Sequence, residues 1–149
     1  MKVVIQKVKN AKVIVNNNIV GSINKGVVAL IGITSSDASK QIEWMANKIA
    51  NLRIFDDDTG VMNKSLLDIE NTGILFISNF TLYGNTKKGF RPSYIDAARS
   101  EIAGPIYEQF IQHFRNLYSD KIKIQEGIFG AMMDVELIND GPVTLIIEN

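Results

Sequence analysis

The order of the apolar segments constrains the fold more than any other feature of this 149-residue chain. The first third contains four short runs, VVIQKVK, AKVIV, NIVGSI and GVVALIGI. Their β-branched residues and the Asn, Gly and Lys residues between them are typical of strands and turns, and Asn16-Asn17-Asn18 is predicted to form a turn between two of the strands. Two strand–helix units follow, and three further strands end the chain. This order predicts an α/β or α+β fold in which the helices cover one face of the β-sheet system.

Two helices are predicted from apolar residues that recur with the helical period. The first extends from about Ala38 to Leu52, and either Ser36 or Asp37 is expected to cap it. The second extends from about Asp96 to Tyr118, and Gly104-Pro105 is expected to break its first turn. The sequence shows no internal repeat and no linker, so we expect residues 1–149 to form a single domain.

Residues 73–83, GILFISNFTLY, are the most apolar strand candidate. If this run stays extended, Ser78 and Phe80 face one way and Asn79 and Thr81 the other. The last three strands are predicted at about 122–126, 131–138 and 143–148. The segment between the last two is interpreted as a hairpin turn, although its proline removes a backbone donor where the second strand should begin pairing.

The composition excludes several classes of site. Cysteine is absent, which rules out a disulfide framework, cysteine-ligated zinc and a cysteine nucleophile. His113 is the only histidine and is interpreted as a boundary residue of the second helix, so a His-based triad or metal site is hard to build. We therefore expect no metal and no cofactor.

The charge and hydropathy patterns limit the kinds of binding partner that the chain can have. Lys plus Arg equals Asp plus Glu at 16 each, which disfavours a strongly basic nucleic-acid clamp but allows a local basic patch. No segment resembles a signal peptide, and none approaches the ~20 apolar residues of a membrane span. We expect a cytoplasmic protein with no membrane partner.

Four stretches have more than one reading when the residues alone are considered. Asp56-Asp57-Asp58 lacks the spacing of a calcium loop and is interpreted as an acidic turn. Trp44 marks either a partner surface or partial burial. Residues 87–93, KKGFRPS, either contact phosphates or form a solvated loop. Residues 78–81, SNFT, are interpreted as a polar strand end, because no base is visible to activate the threonine hydroxyl.

Two motifs, in this order and in a chain of this length, resemble the D-aminoacyl-tRNA deacylase family. That family has Ser-Gln-x-Thr where this chain has Ser78-Asn79-Phe80-Thr81, and Asn-x-Gly-Pro-Val-Thr where this chain has NDGPVT at 139–144. The likeness extends over nearly the whole chain and includes IQKV near the start, RIF at 53–55, MN at 62–63, RPS at 91–93 and Met133. It implies an α/β domain with three layers, α/β/β, and a homodimer that hydrolyses the ester bond of D-aminoacyl-tRNA.

The resemblance also implies roles for individual residues. The catalytic residues would be Thr81, Ser78, Asn79 and Phe80, and the substrate-binding residues would be Gly141, Pro142, Met133 and Asn139. The Gly141-Pro142 peptide would be cis and would reach into the active site of the other protomer, where the 3′ acceptor end of the tRNA binds. Backbone N–H groups around Asn79 and Phe80 would stabilise the oxyanion. Thr81 would position the substrate, whose own ribose hydroxyl would help to activate water.

Two residues depart from the family pattern. Asn79 replaces Gln and shortens the side chain by roughly 1.5 Å, which puts a role for its amide in doubt but not a role for its backbone. Lys7 stands where an Arg that braces the Gly-Pro loop is common, and lysine cannot reproduce a bidentate fork.

Two alternative functions stay open: a non-catalytic module of the same fold that binds tRNA acceptor ends, or a dimeric interaction protein that uses Trp44. The deacylase hypothesis also implies cleavage of glycyl-tRNA mischarged on tRNA-Ala.

Overall fold

Eight strands and two helices make up the chain, and the computed structural model describes all 149 residues. The strands are β1 (Lys2–Val15), β2 (Asn18–Ile23), β3 (Gly26–Gly32), β4 (Phe55–Asp56), β5 (Met62–Lys64), β6 (Gly73–Ser78), β7 (Lys123–Glu126) and β8 (Asp134–Glu148). The helices are α1 (Ser39–Asn51) and α2 (Ser100–Tyr118), and 3₁₀ turns lie at Leu66–Asp68 and Phe80–Tyr83. Neither α-helix is long and apolar enough to cross a membrane. The predicted α/β class is confirmed.

Strand β1 organises the sheet. It is one continuous strand, not the two separate runs that the sequence predicted. Its first half pairs antiparallel with β3 and its second half pairs antiparallel with β2, while β8 pairs with both halves. Strands β3, β6 and β7 are parallel neighbours. The predicted turn after β1 is confirmed, since Asn16 and Asn17 have φ values of 50° and 63°, a conformation that Asn tolerates better than most residues.

Two apolar cores separate three layers. The larger core contains Val27, Ala29 and Phe76 on one face of the sheet, and it packs against Phe110 and Phe114 of α2. The Phe76 ring centroid lies 5.4 Å and 5.0 Å from these two rings, in edge-to-face geometry. The smaller core lies on the other face, where residues of β3 and β6 meet the second half of β1 and β2; its members are Val8, Ala11, Val13, Ile23, Val28, Leu75 and Ile77. The helices therefore cover one face only, as predicted.

Helix α1 has nearly the predicted bounds, but its predicted cap is wrong. The N-cap residue is Ala38, not Ser36 or Asp37. The Asp37 carboxylate is buried and accepts hydrogen bonds from the Met1 ammonium and from the Thr34 N–H, the latter at 2.9 Å. These two bonds hold Asp37 in the loop before the helix, so its carboxylate does not cap the helix.

Helix α2 begins at Ser100, four residues later than the predicted Asp96. The Ala98 N–H donates to the Ile33 carbonyl at 2.9 Å, which ties the preceding segment to the chain just beyond β3. The helix continues through Pro105, so the predicted break is wrong. A proline there removes one intrahelical hydrogen bond, but packing of the apolar stripe supplies most of a helix's stability in a protein.

Strand β8 is not the predicted hairpin. Its two halves pair antiparallel with β1, from Lys2 opposite Glu148 to Ile14 opposite Asp134, so the chain does not reverse. Gln6 lies opposite Thr144 and Val8 lies opposite Asn139, which leaves residues 140–143 opposite Lys7 alone. These four residues form the Asp140–Val143 bulge. A proline cannot donate to the ladder, and bulges are among the few places where a sheet accepts one.

Candidate functional site

A pocket of about 560 Å³ lies at the end of β6, on the sheet face opposite the helices. Ser78, Asn79, Thr81 and Met133 all line it, so the structure brings together half of the eight predicted site residues. The rest of its wall is mainly apolar and includes Leu30, Ile77, Val135 and Leu137. This volume falls in the range of small-molecule sites, which are concave and mostly apolar with a few convergent polar groups.

The chain leaves the sheet at Asn79 and forms the 3₁₀ turn Phe80–Tyr83, which we call the Thr81 turn. The Asn79 Oδ1 accepts hydrogen bonds from the Thr81 N–H at 3.0 Å and from the Thr81 hydroxyl at 2.5 Å. An Asn side chain that caps a turn in this way competes with the extended conformation. The predicted strand through residue 83 is therefore wrong: Asn79 and Thr81 line the same pocket as Ser78, and Phe80 does not.

The backbone donors at this site differ from the prediction. The Asn79 N–H donates to the Ile31 carbonyl at 2.7 Å, so it is occupied by the sheet and is not free to stabilise an oxyanion. The Phe80 N–H makes no hydrogen bond within the chain. The two expectations for Asn79 are thus reversed: its shortened side chain orders the turn, and its backbone N–H is the group already used.

The Thr81 hydroxyl has no general base beside it. Its hydrogen-bond partner is the Asn79 amide oxygen, which does not accept a proton near neutral pH. No Asp, Glu, His, Lys or Arg lines the pocket, and His113 lies on α2, in the layer beyond the opposite face of the sheet. No side chain that lines this pocket can therefore act as a general acid or general base.

Besides the four apolar wall residues, three more pocket residues were missed by the sequence analysis: Gln6, Ala131 and Met132. Gln6 lies within the IQKV segment that contributed to the family resemblance, between the buried residues Ile5 and Lys7. The sequence signal that could have identified Gln6 is its polar side chain, which points to the opposite face of the strand from its two neighbours. Ala131 and Met132 precede β8, and only the folding of β8 along β1 brings them to the pocket.

The second predicted motif, residues 139–144, contains the Asp140–Val143 bulge. The Gly141-Pro142 peptide is cis, as the resemblance implied. The Asn139 side-chain amide donates to the carbonyl of Lys7 at 2.8 Å and to the carbonyl of Val143 at 3.2 Å, so it ties the two ends of the bulge together. Asn139, Gly141 and Pro142 do not line the pocket of their own chain. The structure therefore separates the two groups of predicted site residues.

Lys7 braces the bulge by charge. Its Nζ lies 3.5 Å from the Asp140 carboxylate and 3.5 Å from the Asp56 carboxylate. It also lies 5.9 Å from the Phe55 ring centroid, within the range of a cation–π interaction. Lys7 is 5% exposed, so solvent screens these contacts only partly. Lys7 therefore holds the bulge through ion pairs with Asp140 and Asp56, and not through the bidentate hydrogen bonds that an Arg could make.

The acidic stretch after Phe55 forms the turn that the sequence predicted. The Asp57 carboxylate accepts hydrogen bonds from the Thr59 hydroxyl at 2.6 Å, the Thr59 N–H at 2.9 Å and the Val61 N–H at 3.2 Å. These bonds stabilise the charged form and lower the pKa of Asp57 from its ordinary 3.8 to about 2, with the Thr59 hydroxyl contributing most. Asp58 pairs with Lys64 at 2.9 Å.

Comparison with known proteins agrees with this geometry. The family model described as D-Tyr-tRNA(Tyr) deacylase matches residues 4–148. The protein named D-aminoacyl-tRNA deacylase from Fusobacterium nucleatum subsp. nucleatum is 51% identical over 148 residues, which cover 99% of this chain and 95% of that protein. A protein of the same name from Geobacillus sp. (strain WCH70) is 51% identical over 149 residues, covering 100% of this chain and 95% of that protein.

Solved structures show the same fold. One titled c-Myc DNA Unwinding Element Binding Protein has a TM-score of 0.91 and 39% identity, and the match covers 100% of this chain and 99% of that one. One titled Structural Analysis of a probable eukaryotic D-amino acid tRNA deacylase has a TM-score of 0.81 and 18% identity over 98% of this chain and 97% of that one; this likeness concerns the fold alone. The family model and the relatives at half identity together show that the chain belongs to the D-Tyr-tRNA(Tyr) deacylase family.

Proposed function

We propose that this protein hydrolyses the ester bond between a D-amino acid and the terminal ribose of tRNA, and so releases free tRNA and the free D-amino acid. The observation that carries the proposal is the pocket at the Thr81 turn, where Ser78, Asn79 and Thr81 meet an apolar wall in a chain of the deacylase family. Residues 1–149 act as one domain, without metal or cofactor. The substrate places the enzyme in the cytoplasm.

The chemistry follows from what the pocket offers. Water attacks the ester carbonyl carbon, the bond from that carbon to the ribose oxygen breaks, and the ribose oxygen takes up a proton. The Phe80 N–H is the free backbone donor for the oxyanion, and preorganised donors of this kind are usually the largest single contribution to such catalysis. Because no ionisable side chain lines the pocket, the neighbouring ribose hydroxyl of the substrate activates the water.

Thr81 acts as a positioning residue for the substrate. Its hydroxyl proton is directed to the Asn79 amide oxygen at 2.5 Å, which leaves the oxygen lone pairs free to accept a hydrogen bond from the substrate. A nucleophilic role would need a base to remove that proton. Ser78 lines the same wall, and its hydroxyl is available to the substrate, since it makes no side-chain hydrogen bond within the chain.

Gly141 and Pro142 complete the pocket of a second protomer. Both are exposed, and neither lines the pocket of its own chain. The remaining edge of β8 has no partner strand, and β8 exposes Ile138, Leu145 and Ile146. An unpaired strand edge with exposed apolar side chains is a typical surface for pairing with a second copy. These features support a homodimer with its active sites at the interface.

Discrimination by chirality follows from a clamp made of backbone. Backbone carbonyls beside Gly141-Pro142 hold the α-amino group, and the D side chain projects outward. An L side chain would point into main chain, where no rotamer change can make room, so it is rejected by exclusion. Glycine has no side chain to exclude, and glycyl-tRNA, including tRNA-Ala mischarged with glycine, is therefore also cleaved.

The test is a substrate panel at equal enzyme concentration: D-Tyr-, D-Phe-, D-Asp-, glycyl- and L-Tyr-tRNA. We expect comparable cleavage of the three D substrates, slower cleavage of glycyl-tRNA and almost none of L-Tyr-tRNA. Equal cleavage of D-Tyr- and L-Tyr-tRNA would refute the chiral clamp. Absence of cleavage for every substrate, with tight binding of the acceptor end, would favour the non-catalytic module instead. Sedimentation of the same preparation tests the homodimer.

A further inference from the structure

A second pocket, of about 390 Å³, lies on the other side of the Thr81 turn. Thr81 lines the first pocket and Tyr83 lines the second, so one 3₁₀ turn separates the two. Strand β1 also joins them, because Gln6 lines the first pocket and Lys2 lines the second. These two residues share a strand face and lie four residues apart, which is roughly 13 Å. A chain-like substrate bound at Thr81 can therefore continue into the second pocket.

The loop that borders the second pocket is basic and carries an exposed aromatic ring. Two backbone hydrogen bonds between Asn85 and Ser93, of 2.7 and 2.9 Å, close the base of the loop. Its cationic side chains, Lys87, Lys88 and Arg91, are exposed, and none of them has a carboxylate within 4 Å. Phe90, between them, is fully exposed. We call residues 85–93 the basic loop.

This loop is locally basic in a chain whose formal net charge is zero. Residues 85–93 contain three cationic side chains and no Asp or Glu, whereas Lys12, Lys64 and Arg115 elsewhere in the chain are each paired with a carboxylate at 2.9 Å or less. Three unpaired cations around an exposed phenyl ring are therefore a local concentration of unneutralised positive charge. A positive groove combined with an aromatic stacking platform is the arrangement that binds single-stranded nucleic acid.

We infer that the second pocket and the basic loop bind the single-stranded 3′ end of the tRNA, on the 5′ side of the aminoacylated nucleotide. Lys87, Lys88 and Arg91 contact backbone phosphates, and the Phe90 ring stacks on an unpaired base. A duplex offers no free base face to such a ring, whereas a single strand does. This inference rests on the proposed deacylase function and names the part of the substrate that the second pocket recognises.

The carboxylates of the second pocket determine which side of it the phosphates of the bound tRNA strand can occupy. Asp96 and Glu148 line the pocket. Lys2 neutralises Glu148 at 3.3 Å, whereas Asp96 forms no ion pair, so the Asp96 side repels phosphate and suits hydroxyl or amino donors of ribose and base. Burial, with smaller effects of Asp37 and Glu148, raises the pKa of Tyr83 to about 12, and its phenol stays neutral. The phosphates therefore follow the Lys87 side of the pocket.

Two variants and two substrates test the inference. The variants are the triple Lys87→Ala, Lys88→Ala, Arg91→Ala and the single Phe90→Ala. The substrates are D-tyrosyl-tRNA and D-tyrosyl-adenosine, which keeps the scissile ester but has no upstream phosphate or base. For D-tyrosyl-tRNA we expect the triple variant to raise KM at least tenfold with little change in kcat. Each lost phosphate contact should reduce the slope of log(kcat/KM) against log[salt] by about 0.7, and three contacts by about 2.

Phe90→Ala should raise KM for D-tyrosyl-tRNA by about 5- to 150-fold, the range expected for loss of one base–aromatic stack, with the wild-type salt slope. Both variants should hydrolyse D-tyrosyl-adenosine at the wild-type rate, since that substrate does not reach the loop. The charge-preserving triple Lys87→Arg, Lys88→Arg, Arg91→Lys should restore the wild-type KM and salt slope. Lys121→Ala is the matched control and should change neither, because Lys121 is exposed and lies next to Ile122, near the opposite end of β6.

The outcomes separate this inference from the proposed function. A wild-type enzyme that cleaves neither substrate refutes the deacylase proposal itself. A wild-type enzyme that is active, with a triple variant of unchanged KM and salt slope, overturns the inference alone. Equal loss of activity on D-tyrosyl-tRNA and D-tyrosyl-adenosine also overturns it, because the loop would then act on the catalytic centre and not on the upstream nucleotides.

Discussion

Removal of the Asn139 side chain should loosen the Asp140–Val143 bulge. Its amide nitrogen donates to the carbonyls of Lys7 and Val143, at 2.8 Å and 3.2 Å, and joins two positions that the bulge would otherwise leave unconnected. At about 0.5–1.5 kcal/mol for each hydrogen bond, Asn139→Ala should lower the free energy of unfolding by about 1–3 kcal/mol. For a chain of this length that corresponds to a fall in Tm of about 2–12 °C.

The same change should impair discrimination between D and L substrates. The bulge carries Gly141 and Pro142, and a misplacement of about 1 Å in a positioning group can cost on the order of 100-fold in rate. We expect cleavage of D-Tyr-tRNA to fall by about 10- to 100-fold. The ratio of D-Tyr-tRNA to L-Tyr-tRNA cleavage should fall with it, because a loose clamp excludes the L side chain less completely.

Thermal unfolding and the two deacylation rates should be measured on the same preparations. Asn139→Asp keeps the size of the side chain but has no N–H donor, and it should be at least as damaging as Asn139→Ala. The control is Asn10→Ala, since Asn10 is exposed on β1 and should change stability by no more than about 0.5 kcal/mol. An Asn139→Ala protein with wild-type Tm and wild-type D-to-L ratio would refute the reasoning.

Three further predictions concern the site and the acidic turn. Thr81→Ala should reduce deacylation without abolishing it, and quenched wild-type reactions should contain no acyl-enzyme; mass spectrometry that finds an acyl group on Thr81 would show covalent catalysis. Gly141→Ala should abolish most activity and leave the Tm unchanged, because an added Cβ would meet only the Asn139 Oδ1, 3.9 Å away, in its own chain; normal turnover by this variant would rule out the clamp. The depressed pKa of Asp57 stabilises the folded state above the unfolded value of 3.8, and that contribution should be lost as the pH falls towards about 2; an NMR titration of Asp57 with a midpoint near 4 would contradict this.

Local patterns were sufficient for much of the secondary structure. The bounds of α1 and the turn at Asn16-Asn17 were predicted closely, because helical periodicity and the tolerance of Asn for positive φ depend on near neighbours in the chain. The acidic turn at Asp57 was predicted for the same reason. The end of β6 was not, although its capping residue Asn79 is local. The strand stops there because its ladder with β3, a distant segment, ends at Ile31 opposite Ser78, after which the Asn79 side chain caps the turn.

Some features of the candidate site were likewise predictable from the sequence, and others depended on the tertiary structure. The sequence by itself determined which residues belong to the two motifs, and the family resemblance indicated the reaction. Only the tertiary structure decided that the Asn79 side chain orders the Thr81 turn, that Lys7 braces the bulge through Asp140, and that the segment around Gly141 is a bulge and not a hairpin. The reason is physical: the partners that define the bulge lie in β1, more than 130 residues away in the chain. A strand that pairs at such a separation is specified by its partner strand, and no local window of sequence contains that partner.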